Sequence, residues 1–153
     1  DQVVRITDRL IPQGLIVYTE DRNGNKEEEW SDSKELDMPM AVLINGRSAS
    51  ASEIMAGAIK DHKKGILVGN KTFGKGLVQV PYSLPDGSGL KITIARYFTP
   101  SGVCIQDIGI NPDIEVSLDE KYQFYSVSLI PREDDTQLQK AIEELQKQIN
   151  AAN

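Results

Sequence analysis

The chain has 153 residues, enough to bury one core, and its 39% of apolar residues come in short periodic segments with no run of membrane-spanning length. A formal charge of −6 without a basic stripe argues against nucleic acid as a partner. One cysteine, Cys104, forbids an intrachain disulfide, and with a single histidine beside it a zinc site of the usual nitrogen and sulfur ligands is not expected.

The chain opens on a helical pattern, with Val3, Ile6 and Leu10 apolar, that Pro12-Gln13-Gly14 ends. It starts without an initiator methionine or signal peptide and reads as a fragment. Leu15-Ile16-Val17-Tyr18-Thr19 has strand composition, and Asn23-Gly24 is a hairpin signal leading to Glu28-Glu29-Trp30. Lys26-Glu27-Glu28-Glu29 reads as a solvated face and Trp30 as half-buried packing.

Met40-Ala41-Val42-Leu43-Ile44 is a continuous apolar run of the kind a strand buried on both faces produces, and Asn45-Gly46 breaks it. Ile54, Met55, Ala58 and Ile59 then repeat at helical spacing, with Ser50-x-x-Glu53 as a capping box. Ser50 thus stands where a strand becomes a helix, near the positive end of the helix dipole and beside free backbone N–H groups. Two readings stay open, a structural N-cap and a nucleophile, and Ser48 and Ser52 are equal candidates for the second. His62 lies twelve residues past Ser50, about 18 Å along a continuous helix, so a Ser-His-Asp triad on this helix is excluded. His62 is instead a helix C-terminal cation beside Lys63 and Lys64, ahead of a C-cap at Gly65. Asp61 is about 16 Å from Ser50 by the same reckoning and reads as structural.

Ile66-Leu67-Val68 is the next strand. Gly69-Asn70-Lys71-Thr72-Phe73-Gly74-Lys75-Gly76 has the look of a phosphate-binding loop, but Gly76 stands where Ser or Thr should be, and Leu77-Val78-Gln79-Val80 continues as a strand where a helix is required. Lys75 remains as a loop lysine with Phe73 and Leu77 close enough to shield it, and shielding favours the neutral form that can take a proton. Leu77 to Tyr82 and Leu90 to Phe98 face each other across Pro85-Asp86-Gly87-Ser88. Thr99-Pro100-Ser101-Gly102 makes another turn, and Gly109 to Pro112 leads to Ile114–Val116. Asp134-Asp135-Thr136 caps a last helix that puts Leu138, Ile142, Leu145 and Ile149 on one face, expected to pack on the core, with dimerisation as the lesser reading. This order of elements implies an α/β domain with a mixed sheet.

The segments Asn45-x-x-Ser48-Ala49-Ser50-Ala51-Ser52-Glu53-Ile54, Ala56-Gly57-Ala58-Ile59-x-Asp61 and Val68-Gly69-x-x-Thr72-Phe73-Gly74-Lys75-Gly76-x-Val78-Gln79 resemble the carboxyl-terminal processing peptidases, or tail-specific proteases. The likeness continues in register through Asp86-Gly87-Ser88, Ala95-Arg96-Tyr97-Phe98-Thr99-Pro100-Ser101-Gly102, Ile105-Gln106 and Gly109-Ile110-x-Pro112-Asp113, covering about Asn45 to Val116. It implies a crotonase-like fold of the ClpP/crotonase superfamily, with a mixed-sheet catalytic core over 1–133 and a C-terminal helix over 134–153. It implies Ser50 as nucleophile, Lys75 as general base, Gln79 as the residue orienting the lysine, and the Ala51 amide as an oxyanion donor. Neither metal nor organic cofactor is required. The same likeness implies protein or peptide substrates with accessible C-termini and an extracytoplasmic site of action, in the periplasm or cell envelope. It also implies a strand, a glycine-rich turn and a peptide-binding PDZ domain upstream, none of which is in this sequence; self-association into a homodimer is a further expectation. The rival from another class is a noncatalytic peptide-binding module that keeps the fold.

Overall fold

The computed structural model describes residues 2–152. In order they form α1 (Gln2–Asp8), β1 (Gly14–Asp21), β2 (Lys26–Ser31), β3 (Ala41–Ile44), α2 (Ala51–Asp61), β4 (Ile66–Gly69), β5 (Leu77–Ser83), β6 (Gly89–Phe98), β7 (Ile114–Glu115) and α3 (Thr136–Ala152). The apolar run before Asn45 becomes β3, and β4 returns parallel to it after α2, with Ala41 beside Ile66 and Ile44 beside Gly69.

The single mixed sheet expected from the element order does not form among the described residues, which make two sheets. One is antiparallel with strand order β2-β1-β6-β5, and the other is parallel with order β3-β4-β7. The reason is the length of β6. Its ten residues pair with β5 along most of their length, from Gly89 beside Ser83 to Arg96 beside Leu77, and their last part pairs on the opposite edge with β1, from Ala95 beside Asp21 to Phe98 beside Tyr18. Two hairpins therefore close into one antiparallel sheet, and the β3-α2-β4 crossover keeps a parallel sheet of its own.

The core lies where α2 meets both sheets. Ile54, Ala58 and Ile59 of α2 pack with Ile16 and Val17 of β1, Ile44 of β3, Leu67 of β4 and the loop residues Ile105 and Ile110. Each such buried Ile, Leu or Val side chain contributes about 2 kcal/mol relative to exposure. Helix ends and faces depart from the sequence pattern by small rotations. In α1 the buried position is Thr7, with Ile11 beyond the helix, while Ile6 is 54% exposed. In α3 the best-buried positions are Gln137 and Ala141, one residue round from the apolar stripe; Leu138, Ile142 and Leu145 are half-buried and Ile149 is exposed. Polar contacts explain the rotation: Gln137 Nε2 donates to Asn70 Oδ1 at 2.8 Å and to the Val116 carbonyl at 2.7 Å, tying α3 to the end of the parallel sheet. Trp30, expected half-buried, is 58% exposed on β2.

α2 ends at Asp61 with His62 as C-cap, and the left-handed residue is Lys63 at φ 53°, not Gly65. His62 is held by a 2.7 Å contact between Nε2 and the Leu15 carbonyl. Asp61 Oδ2 accepts the Ser101 N–H at 2.8 Å, so it secures the turn after β6. Gly69, at the end of β4, has φ +132°, and a Cβ there would collide with the Ile44 carbonyl across the parallel pair. Gly69→Ala is expected to cost about 2–4 kcal/mol of stability, read as a lowered midpoint in thermal unfolding followed by far-UV circular dichroism. An unchanged midpoint would mean that β3 and β4 are not held at this close approach.

Candidate active site

Of the three serines in the strand-to-helix turn, the structure gives each a different setting. Ser48 is spent on the turn: its hydroxyl accepts the Asn45 N–H at 3.1 Å, and its carbonyl accepts the Phe73 N–H at 2.9 Å. Ser52 is exposed in the first turn of α2. Ser50 is half-buried and sits at φ 54°, ψ −114°, a conformation that costs a residue with a side chain about 1–3 kcal/mol. Such strain at a sharp strand-to-helix turn is how a hydroxyl is thrust out of the chain's path. Directly after it, Ala51 occupies the first helical position, where an N–H has no acceptor within the helix.

What holds Ser50 in this state is Glu53, whose side chain is fully buried. Its Oε2 accepts the Ser50 N–H at 2.9 Å and the Lys75 N–H at 2.8 Å. Its Oε1 accepts the Gly74 N–H at 2.6 Å and the Thr72 hydroxyl at 2.5 Å. The Thr72 hydroxyl in turn accepts the Ile110 N–H at 2.7 Å. Two amides that share one oxygen at these lengths lie within about 6 Å of each other, so Ser50 and Lys75 are neighbours in space despite a separation of twenty-five positions in the chain. In the sequence Glu53 reads as a helix cap; its larger part, as acceptor for the lysine loop, has no signal in spacing.

A cleft of about 550 Å³ opens beside this junction, lined by Ala49, Phe73, Lys75, Gln79, Gln106 and Asp107 among others. Lys75 and Gln79 thus face one space, whereas His62 and Asp61 lie at the other end of α2. Gln79 follows an irregularity in the β5-β6 register, and its Nε2 donates to Thr93 Oγ1 at 3.1 Å, leaving the amide oxygen as the end available to an ammonium. The expected shielding by Phe73 is absent: that ring is 66% exposed and Lys75 is exposed as well. Gln106 and Asp107, which sequence reading did not single out as site residues, enter the cleft because β6 and the following turn return the chain to the Lys75 loop. Among the described residues no cluster of His, Cys, Asp or Glu is arranged to hold a metal ion.

The sequence pattern of Peptidase family S41 matches residues 1–116. The chain belongs to peptidase family S41. This S41 chain is 47% identical over 135 residues to a carboxy-terminal-processing protease of Bartonella bacilliformis, covering 84% of the chain and 31% of that protein. It is 44% identical over 115 residues to a chloroplastic C-terminal processing peptidase of Tetradesmus obliquus, covering 74% of the chain and 25% of that protein. Among solved structures it resembles a photosystem II D1 C-terminal processing protease with a TM-score of 0.70 and 43% identity, over 75% of this chain and 30% of that one. The chain therefore spans no more than 31% of the length of these relatives. These matches also correct the fold assignment: it is the S41 peptidase fold, a half-barrel sheet with flanking helices, and not the crotonase-like fold of the ClpP/crotonase superfamily.

Glu53→Gln tests the centre of the site. The amide would keep one acceptor oxygen and turn an NH₂ group toward two of the four donors, so a loss of at least about 3 kcal/mol is expected, read by urea or thermal unfolding. Wild-type stability in this variant would show that the four contacts do not carry the junction.

Proposed function

We propose that this S41 chain is catalytic machinery of a serine endopeptidase that cleaves protein substrates near their carboxyl ends. The observation that carries the reading is the pairing of a strained Ser50 with the Lys75 loop on one buried carboxylate oxygen. A cap serine needs neither the strain nor the lysine, whereas a nucleophile and its base need both. The similarity to a carboxy-terminal-processing protease and a C-terminal processing peptidase supports the substrate class.

In this mechanism the Ser50 hydroxyl attacks the peptide carbonyl and neutral Lys75 takes its proton. The Ala51 N–H, unbonded within the helix, stabilises the negative oxygen of the tetrahedral intermediate. The proton passes to the leaving amine, the new amino terminus departs, and water attacks the acyl-Ser50 ester with Lys75 again as base. Gln79, anchored on Thr93 through its Nε2, directs its oxygen to the Lys75 ammonium. Lys75 is exposed at the cleft, so a polypeptide bound there covers it and excludes water from the proton transfer. Substrates are polypeptides with accessible C-termini, the site of action is extracytoplasmic, in the periplasm or cell envelope, and a PDZ domain in cis presents the chain end. A noncatalytic peptide-binding role is the outcome to be separated.

In the protein that carries this chain, Ser50→Ala and Lys75→Ala should each reduce cleavage of an unfolded substrate to near background, and the double variant should be no worse than either. Lys75→Arg should be equally inactive, because a guanidinium keeps its proton. His62→Ala should cut at about the wild-type rate. Products are followed by mass spectrometry. Robust cleavage by Lys75→Arg would remove lysine as the base, and binding without cleavage by the wild type would favour the peptide-binding module.

A further inference from the structure

The Lys75 loop contains Gly74 and Gly76 on either side of an exposed lysine, a composition that by itself leaves the side chain poorly placed. Glu53 fixes two of its amides, those of Gly74 and Lys75. The third, the Gly76 N–H, donates to Gln106 Oε1 at 2.9 Å. Gln106 Nε2 donates to Asp107 Oδ1 at 2.8 Å, and the Asp107 N–H donates to the Gly74 carbonyl at 2.9 Å. The amide cannot be turned over: a backbone N–H only donates and a carboxylate only accepts, so each end of Gln106 has one possible partner. The approach is close, since a Cβ on Gly76 would collide with the Gln106 backbone nitrogen. Asp107 holds its place at φ 61°, a second left-handed residue with a side chain beside the same cleft.

We propose that Gln106 is a positioning residue for the base, fixing Lys75 through the Gly76 amide while Asp107 fixes Gln106. Three consecutive amides, 74 to 76, then end on side-chain acceptors from two distant segments, Glu53 in α2 and Gln106 after β6. A loop pinned in this way holds an amine where a displacement of about 1 Å would cost about a hundred-fold in rate. The inference rests on Lys75 being the base.

The test uses the protein carrying this chain, with Gln106→Ala, Gln106→Glu, Lys75→Ala and the Lys75→Ala/Gln106→Ala pair, on one unfolded substrate. Gln106→Ala should lower kcat by about 10- to 100-fold with KM little changed, and should add no further loss to Lys75→Ala. Gln106→Glu keeps an acceptor for Gly76 but can share a hydrogen bond with Asp107 only while one of the two carboxyls is protonated and donates to the other. Adjacent carboxylates raise one pKa of the pair, so the activity of this variant relative to wild type should fall as pH rises through that raised value. If Lys75→Ala is inactive while Gln106→Ala keeps wild-type kcat, the positioning role is wrong and the dyad stands. If Lys75→Ala is active, the dyad falls and this inference with it. Should Gln106→Ala fail to fold, a pH-independent ratio for Gln106→Glu overturns the proposal.

Discussion

A carboxylate with no exposure to water needs several donors around it, and Glu53 has four. Three are backbone amides and one is a hydroxyl, so the charge is met by dipoles and no counter-ion is required. This arrangement makes the start of α2 and the 72–75 loop fold as one piece. Thr72 passes the constraint on, since the hydroxyl that donates to Glu53 also receives the Ile110 amide. The strain at Ser50 is therefore offset by a core interaction, and the rigidity of the site is inherited from the interior and not from its rim.

The two-sheet architecture explains why such a bridge is needed. Ser50 follows β3 of the parallel sheet, whereas Lys75 precedes β5 of the antiparallel sheet. The 70–76 segment carries the chain from the parallel sheet to the antiparallel one. Glu53, in the first turn of the connecting helix, reaches that crossing from within.

Much of this was legible in the sequence where local chemistry decides. The continuous apolar run of β3, the helical spacing of Ile54, Ala58 and Ile59, and the Asn23-Gly24 and Asp86-Gly87 turns all specify their elements by themselves. The partner of a strand is not local: nothing in Leu90–Phe98 states that its far half pairs with β1, and from that pairing comes the split into two sheets. Helix rotation escapes the sequence pattern for a related reason. Gln137 faces inward because a carbonyl and an amide oxygen await it, and apolar periodicity cannot register that. Among the site residues, Ser50 and Lys75 stood out through their surroundings in the chain, but local pattern did not choose Ser50 over Ser48 and Ser52. In the structure Ser50 differs from the other two by its positive φ, and Ser48 is engaged in the turn. Gln106 was invisible because its partner is an amide thirty residues away.

The one tryptophan of the chain lies on β2, with its indole N–H 3.1 Å from Glu28 Oε2 and more than half of its surface in water. Its emission is therefore already that of a hydrated indole in the folded state. Intrinsic fluorescence excited at the tryptophan band will report on the outer edge of the antiparallel sheet and remain nearly silent while α2 and the lysine loop come apart. An optical probe of the Ser50 and Lys75 region has to be introduced, and the exposed ring position at Phe73 offers a place for an indole that would look directly into the cleft.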